Sequence, residues 1–154
     1  MLAHSFVTRR RLIFVMAVAL GAWALPASAG KTAEVALGEL NARGASGNSA
    51  LARLFESSVE RELSQLDLSR AKKRDRFVLS ATLMSVASTK GRDGAEARAV
   101  VSATLRKAQG GELHAIVRGS ATATDAATAS SHAERAALRA AVKSALKRVP
   151  EALR

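Results

Sequence analysis

The sequence predicts an α+β domain, a two-layer sandwich of element order β-α-β-β-β-α, in which a mainly antiparallel sheet is covered on one face by two amphipathic helices. Three observations predict it. Two segments repeat apolar residues every three or four positions, the period of a helix with one buried face. Others alternate apolar and polar residues at every second position, the period of a strand with one buried face. Gly-rich punctuation separates the last two alternating segments at hairpin spacing. A sheet with one apolar face needs cover, and two helical stripes supply it.

Ahead of the domain, residues Met1 to Ala29 have the layout of a cleavable signal peptide. A positive region ends in Arg9-Arg10-Arg11, an apolar stretch runs from Leu12 to Leu25, and Pro26-Ala27-Ser28-Ala29 supplies an A-x-A cleavage site with Ala27 and Ala29 as its small residues. Cleavage leaves Gly30 as the new N-terminus, so the domain expected is 30–154. The weaker alternative is an uncleaved anchor. At about 1.5 Å per residue this stretch is too short for a hydrocarbon core of about 30 Å. Thr8-Arg9-Arg10-Arg11-Leu12-Ile13 loosely matches a twin-arginine signal. The strongly apolar stretch favours the general secretory route.

Within the domain, Ala33 to Leu40 reads as a short strand, and Arg43 to Asn48 as a loop by its Gly, Ser and Asn content. Asn48 or Ser49 is a credible helix N-cap, since a short side-chain oxygen accepts from the free N–H groups there. Leu51, Leu54, Phe55, Val59, Leu63 and Leu66 then share one helical face. From Phe77 the period becomes two, with Phe77, Leu79, Ala81 and Leu83 facing one way and Val78, Ser80, Thr82 and Met84 the other. Lys90 to Gly94 turns the chain. Ala97 to Lys107 and Leu113 to Thr124 are two further strands, joined through Gln109-Gly110-Gly111. Val101 pairs in phase with Leu105, and Val117 with Leu113. Asp125 to Ser131 is a small-residue linker, after which Ser131-His132-Ala133-Glu134 fits a capping box. Leu138, Ala141, Val142, Ala145, Leu146, Val149 and Leu153 give the second helical face, which Pro150 is expected to end or bend near Val149.

An exported chain of this order resembles the periplasmic domain of penicillin-binding-protein activator lipoproteins. It is also similar to the N-terminal domain of the Tol translocation protein and to curli-assembly factors. The likeness is carried by Val35-Ala36-Leu37 leading into the helix of Leu51, Leu54 and Phe55, by the Val100-to-Leu105 and Leu113-to-Val117 hairpin, and by the closing helix from Ala133. It implies an envelope adaptor or accessory role. It transfers no functional residue, and the chain departs from the lipoproteins in having no Cys to acylate.

Composition narrows the chemistry. The chain carries 24 Lys plus Arg against 13 Asp plus Glu, a net charge of +11. Removing the leader with its three arginines leaves 21 against 13, or +8, still enough to draw in polyanions without specificity. With no cysteine, a disulfide, a thiolate nucleophile and a Cys-based metal site are all excluded. His114 and His132 do not make a metal site, which wants three or four converging ligands. His114 is expected to face solvent on the sheet and His132 to lie in a first helical turn. No Ser lies in a G-x-S-x-G elbow. Glu56 and Glu60 alternate with Arg53 and Arg61 at the spacing of a solvated helix face. Gly44-x-x-Gly47 lacks the Lys of a phosphate-binding loop and reads as a plain connection. No cofactor is expected.

Two basic features remain as candidate contacts for a polyanion or partner. One is the run Arg70, Lys72, Lys73, Arg74 and Arg76, diluted by Asp75. The other is Arg135, Arg139, Lys143 and Lys147, which recur every four residues along one flank of the last helix. Their plainer reading is a solvated face whose cations suit the negative helix end. Only Phe55 and Phe77 survive cleavage as aromatics, and both sit at core positions, so stacking platforms for single-stranded nucleic acid are absent. The expectation is a periplasmic or secreted, non-enzymatic accessory protein of the envelope that meets another envelope protein. A polyanion- or anionic-membrane-binding role is the alternative. An exported hydrolase built on Ser and carboxylates is the weakest of the three.

Overall fold

The computed structural model describes residues 33–69, 71, 75–92, 94–126 and 130–154. The leader with its cleavage site at Ala27, Ala29 and Gly30, the basic residues Arg70, Lys72, Lys73 and Arg74, and Asp93 of the expected turn lie outside the described residues. Among those described, the elements run β1 (Glu34–Asn41), α1 (Ser49–Ser64), β2 (Arg76–Gly91), β3 (Gly94–Lys107), β4 (Leu113–Asp125), α2 (Ser130–Leu146) and α3 (Val149–Ala152). This is the predicted α+β order, closed by one extra helical turn. The four strands form one sheet in the order β1-β2-β3-β4. β1 runs parallel to β2 through the α1 crossover, whereas β2–β3 and β3–β4 are antiparallel, so the sheet is mixed. The parallel pair follows from the helix between its strands, because a tight hairpin is the only short antiparallel link.

Local chemistry sets the element ends. The Asn48 side chain accepts from the N–H groups of Ala50 and Leu51, capping α1 as its sequence suggests. Arg43–Ala45, expected as loop, forms a single 3-10 turn. Gly110 and Gly111 take φ values of 81° and 66°, the left-handed conformation that the β3–β4 turn demands. α2 stops at Leu146 and restarts at Val149 with Pro150 in the first turn of α3, where a missing N–H costs nothing.

The core lies between one sheet face and the helices. Phe55 and Val59 of α1 and Phe77, Leu79 and Leu83 of β2 are fully buried, as are Leu138, Val142 and Leu146 of α2. Each large apolar side chain so buried contributes about 1.5–3 kcal/mol. Over β3 and β4 the packing is finer grained. Ala97, Ala99 and Ala103 of β3 and Ala133, Ala137, Ala141 and Ala145 of α2 are all buried, so helix and sheet meet through methyl groups. Gly119 of β4 completes this approach. A Cβ there would lie 2.3 Å from the Ala141 carbonyl oxygen and 2.4 Å from the Ala145 nitrogen.

Three expectations are corrected. The register of β3 with β4 shifts so that Leu105 faces Ala115 while Arg106 faces Leu113, leaving His114 as the extra residue of a β-bulge. The bulge turns Leu113 out, 49% exposed, so it does not share the inward face of Val117. It also turns His114 in, against Phe77, instead of out to solvent. A second bulge at Met84 of β2 sends that side chain out, 56% exposed, and keeps Val86 in the core phase. The capping box is not formed. Glu134 Oε1 accepts from the Ser88 hydroxyl at 2.6 Å, pinning the start of α2 to β2.

Candidate anion-binding surface

The predicted basic residues divide on the structure. Arg76 opens β2 directly opposite Glu34 of β1, and its Nε lies 2.9 Å from Glu34 Oε2. That pairing makes Arg76 a link between strands and removes it from a free cationic patch. On α2, Arg135, Arg139 and Lys143 are exposed on the side away from the buried Ala137, Leu138, Ala141 and Val142. Lys147 continues this row on the turn after the helix and is also exposed. Among the described residues, no carboxylate forms an ion pair with any of these four. They constitute a solvated cationic face.

The other sheet face carries a feature that reading single segments missed. No described element covers it. Its residues are the outward phase of each strand: Ser80 and Thr82 of β2, Arg98, Val100 and Ser102 of β3, and Ile116, Arg118 and Ser120 of β4. Val100 pairs with Ser120, and Arg98 and Arg118 flank that rung on opposite strands. Arg148, on the turn between α2 and α3, reaches round the edge strand β4 and donates from Nη1 to the Arg118 carbonyl at 3.2 Å. Arg98, Arg118 and Arg148 thus line one cleft of about 320 Å³, together with Ser120 and Ser144. The signal available in sequence was only that Arg98 and Arg118 lie out of phase with Ala97, Ala99 and Val117. Their convergence depends on register and on the edge position of β4.

The remaining titratable groups are dispersed. His114 Nε2 sits 3.0 Å from the Ala152 carbonyl, and His132 Nδ1 lies 3.8 Å from Asp125 Oδ2. Glu56 and Glu60 are exposed on α1 beside Arg53 and Arg61, as their spacing predicts. Gly44 packs on the β2 backbone at Met84 and Ser85, so the Gly44-x-x-Gly47 segment serves as a connection fitted to the sheet. The Lys107 ammonium is held above its usual value of 10.5 by its hydrogen bond to Glu112 and by that carboxylate's charge. Among the described residues, no three His, Asp or Glu side chains converge as a metal site. None of the described helices is long and apolar enough to cross a membrane.

No family model matches the sequence, and no curated protein matches it. The fold does have solved counterparts. It is similar to the hypothetical protein CT253 of Chlamydia trachomatis, with 12% identity over 80% of this chain and 98% of that one, at a TM-score of 0.60. It is also similar to the DUF330 protein XCC0632 of Xanthomonas campestris, with 12% identity over 77% of this chain and 82% of that one, at a TM-score of 0.52. At such identities the likeness is one of fold. It agrees with the element order on which the sequence resemblance rests, and it singles out none of the families to which that order is similar.

Proposed function

We propose that this chain is an exported accessory protein of the cell envelope that acts by binding a partner, with no catalytic step of its own. The observation that carries the reading is the signal-peptide layout of Met1 to Ala29 ahead of a domain in which no described element covers one sheet face. An export leader sets the compartment, and a face that mixes Ser, Thr and Arg with exposed Ile116 and Met84 offers a contact surface of the composition protein interfaces use. The test is fractionation of cells expressing the full chain, with N-terminal sequencing of the product. Recovery in the periplasm or medium with Gly30 at the N-terminus supports the reading. An intact Met1 product retained in the cytoplasm overturns it. Cross-linkers placed at Ser102 and Ser120 should both capture the same envelope protein, and repeated failure at both positions argues against the binding role.

A second reading is favoured by the exposed, unpaired row on α2. Here the protein is held to anionic polymers or lipid by charge. Retention on heparin or anionic vesicles would fall steeply with salt, and each cation removed would lower the salt slope by about one. Replacing Arg139 and Lys143, or Lys72, Lys73 and Arg74, by Ala separates the two basic features. Unchanged retention in both sets overturns this reading.

A further inference from the structure

We propose that the cleft of Arg98, Arg118 and Arg148 is a binding site for a phosphoryl group. This goes beyond the proposed envelope role and does not depend on where the protein resides. Three arginines, one each from β3, β4 and the α2–α3 turn, line a single cleft. Like charges brought together repel, and the described residues lining this cleft include no carboxylate to offset them. Glu96, two residues from Arg98 on β3, lines a separate cleft at the β2–β3 hairpin end. The charged residues lining the cleft are therefore all cationic, and an entering anion offsets them.

The donors specify which anion. Guanidinium forks bind oxyanions through paired, charge-assisted N–H donors. Arg148 uses one Nη1 bond on the Arg118 carbonyl, which fixes its side chain across the strand edge and leaves other N–H donors free. Ser120 and Ser144 add hydroxyl donors from the sheet and helix sides. Three cations and two hydroxyls exceed what one carboxylate accepts, but they match a tetrahedral phosphate with several acceptor oxygens. At about 320 Å³ the cleft also has room for the group that the phosphate is attached to. Gly119, where helix and strand backbones meet, keeps the Ser120 and Ser144 sides of the cleft close.

The bland account is that these arginines merely guard an exposed strand edge against pairing with another chain. The experiment distinguishes the two. Glycerol phosphate is titrated into the purified protein while backbone amide spectra are followed, with sodium chloride matched for ionic strength. Saturating shifts confined to Gly119, Ser120, Ser144 and their neighbours are expected. Arg98→Gln and Arg118→Gln should each weaken binding by about tenfold or more, the loss of one charged hydrogen-bond partner, while Arg61→Gln on α1, outside both basic features, leaves it unchanged. The Arg98 side chain makes no hydrogen bond to the described residues, so its variant keeps the test valid should Arg118→Gln perturb folding. Vesicles of phosphatidylglycerol against phosphatidylcholine identify the source. Sedimentation with the former, lost in Arg98→Gln, places the phosphoryl group on a lipid; saturation by glycerol phosphate without vesicle binding makes it a soluble ligand. Non-saturating shifts spread over α2 and the strands, or equal binding by Arg98→Gln and the unsubstituted protein, overturn the site and leave the edge-guarding role.

Discussion

His114 and Ala152 are joined across the open end of the sandwich: the imidazole Nε2 lies 3.0 Å from the Ala152 carbonyl oxygen. The bulge in β4 makes this possible, since only an inserted residue turns His114 toward the helix layer. The same ring sits 4.9 Å from that of Phe77, tilted by 42°. One side chain therefore ties the terminal helix α3 to the core.

Replacing His114 by Ala is expected to lower stability by about 1–2 kcal/mol, from a lost hydrogen bond and a lost aromatic contact. A urea midpoint that falls at constant slope checks this. Hydrogen exchange should quicken at Leu153, whose N–H closes α3 onto Val149. His114→Phe should recover the ring contact but not the exchange protection.

Gly119→Ala should be more damaging than its size suggests. The added methyl meets α2 backbone at 2.3 and 2.4 Å, and backbone has no rotamer into which it can retreat. Overpacking of this kind costs about 1–3 kcal/mol. Thermal melting of the variant should show a drop of several degrees, and no change there would mean that helix and strand stand further apart.

Ser58 is 2% exposed on α1, and its hydroxyl has no hydrogen-bond partner among the described residues. Ser58→Ala removes the unsatisfied group and improves helix propensity. A gain of about 1 kcal/mol is expected in denaturant titration.

The Lys107–Glu112 bridge, 2.8 Å long, closes the β3–β4 turn alongside the Lys107 N–H bond to the Glu112 carbonyl. Because the folded lysine binds its proton more tightly than the unfolded one, its contribution is fully present below 10.5 and fades as pH rises through the raised value. Melting curves of the protein and of Lys107→Met should differ at neutral pH and converge in strong alkali. A gap that widens with alkali would contradict the pairing.

What the sequence revealed, and what it hid, divides by range. The helical face of Leu51, Phe55 and Val59, the Asn48 cap and the Gly110-Gly111 turn are local, and each was legible from a few neighbouring residues. The bulges at Met84 and His114 were not, because a strand pattern broken by one residue looks continuous until its partner is known. Glu134 had the spacing of a capping residue, yet Ser88, 46 residues earlier, offered a hydroxyl at the sheet end. The basic run at Arg70 to Arg76 was conspicuous as a string, and Arg76 proved to be engaged with Glu34. The cleft of Arg98, Arg118 and Arg148 was invisible for the opposite reason. Its members are isolated in the chain, and only sheet order and an edge strand bring them together.

The alanine seam between β3 and α2 bears on how this protein tolerates change. Most cores are vulnerable to truncation, since removing a large side chain leaves a void. Along Ala97, Ala99, Ala103, Ala137, Ala141 and Ala145 there is almost nothing to truncate. The hazard runs the other way, toward growth by a single carbon. An alanine scan would pass silently over these positions, whereas a scan with valine would find them at once.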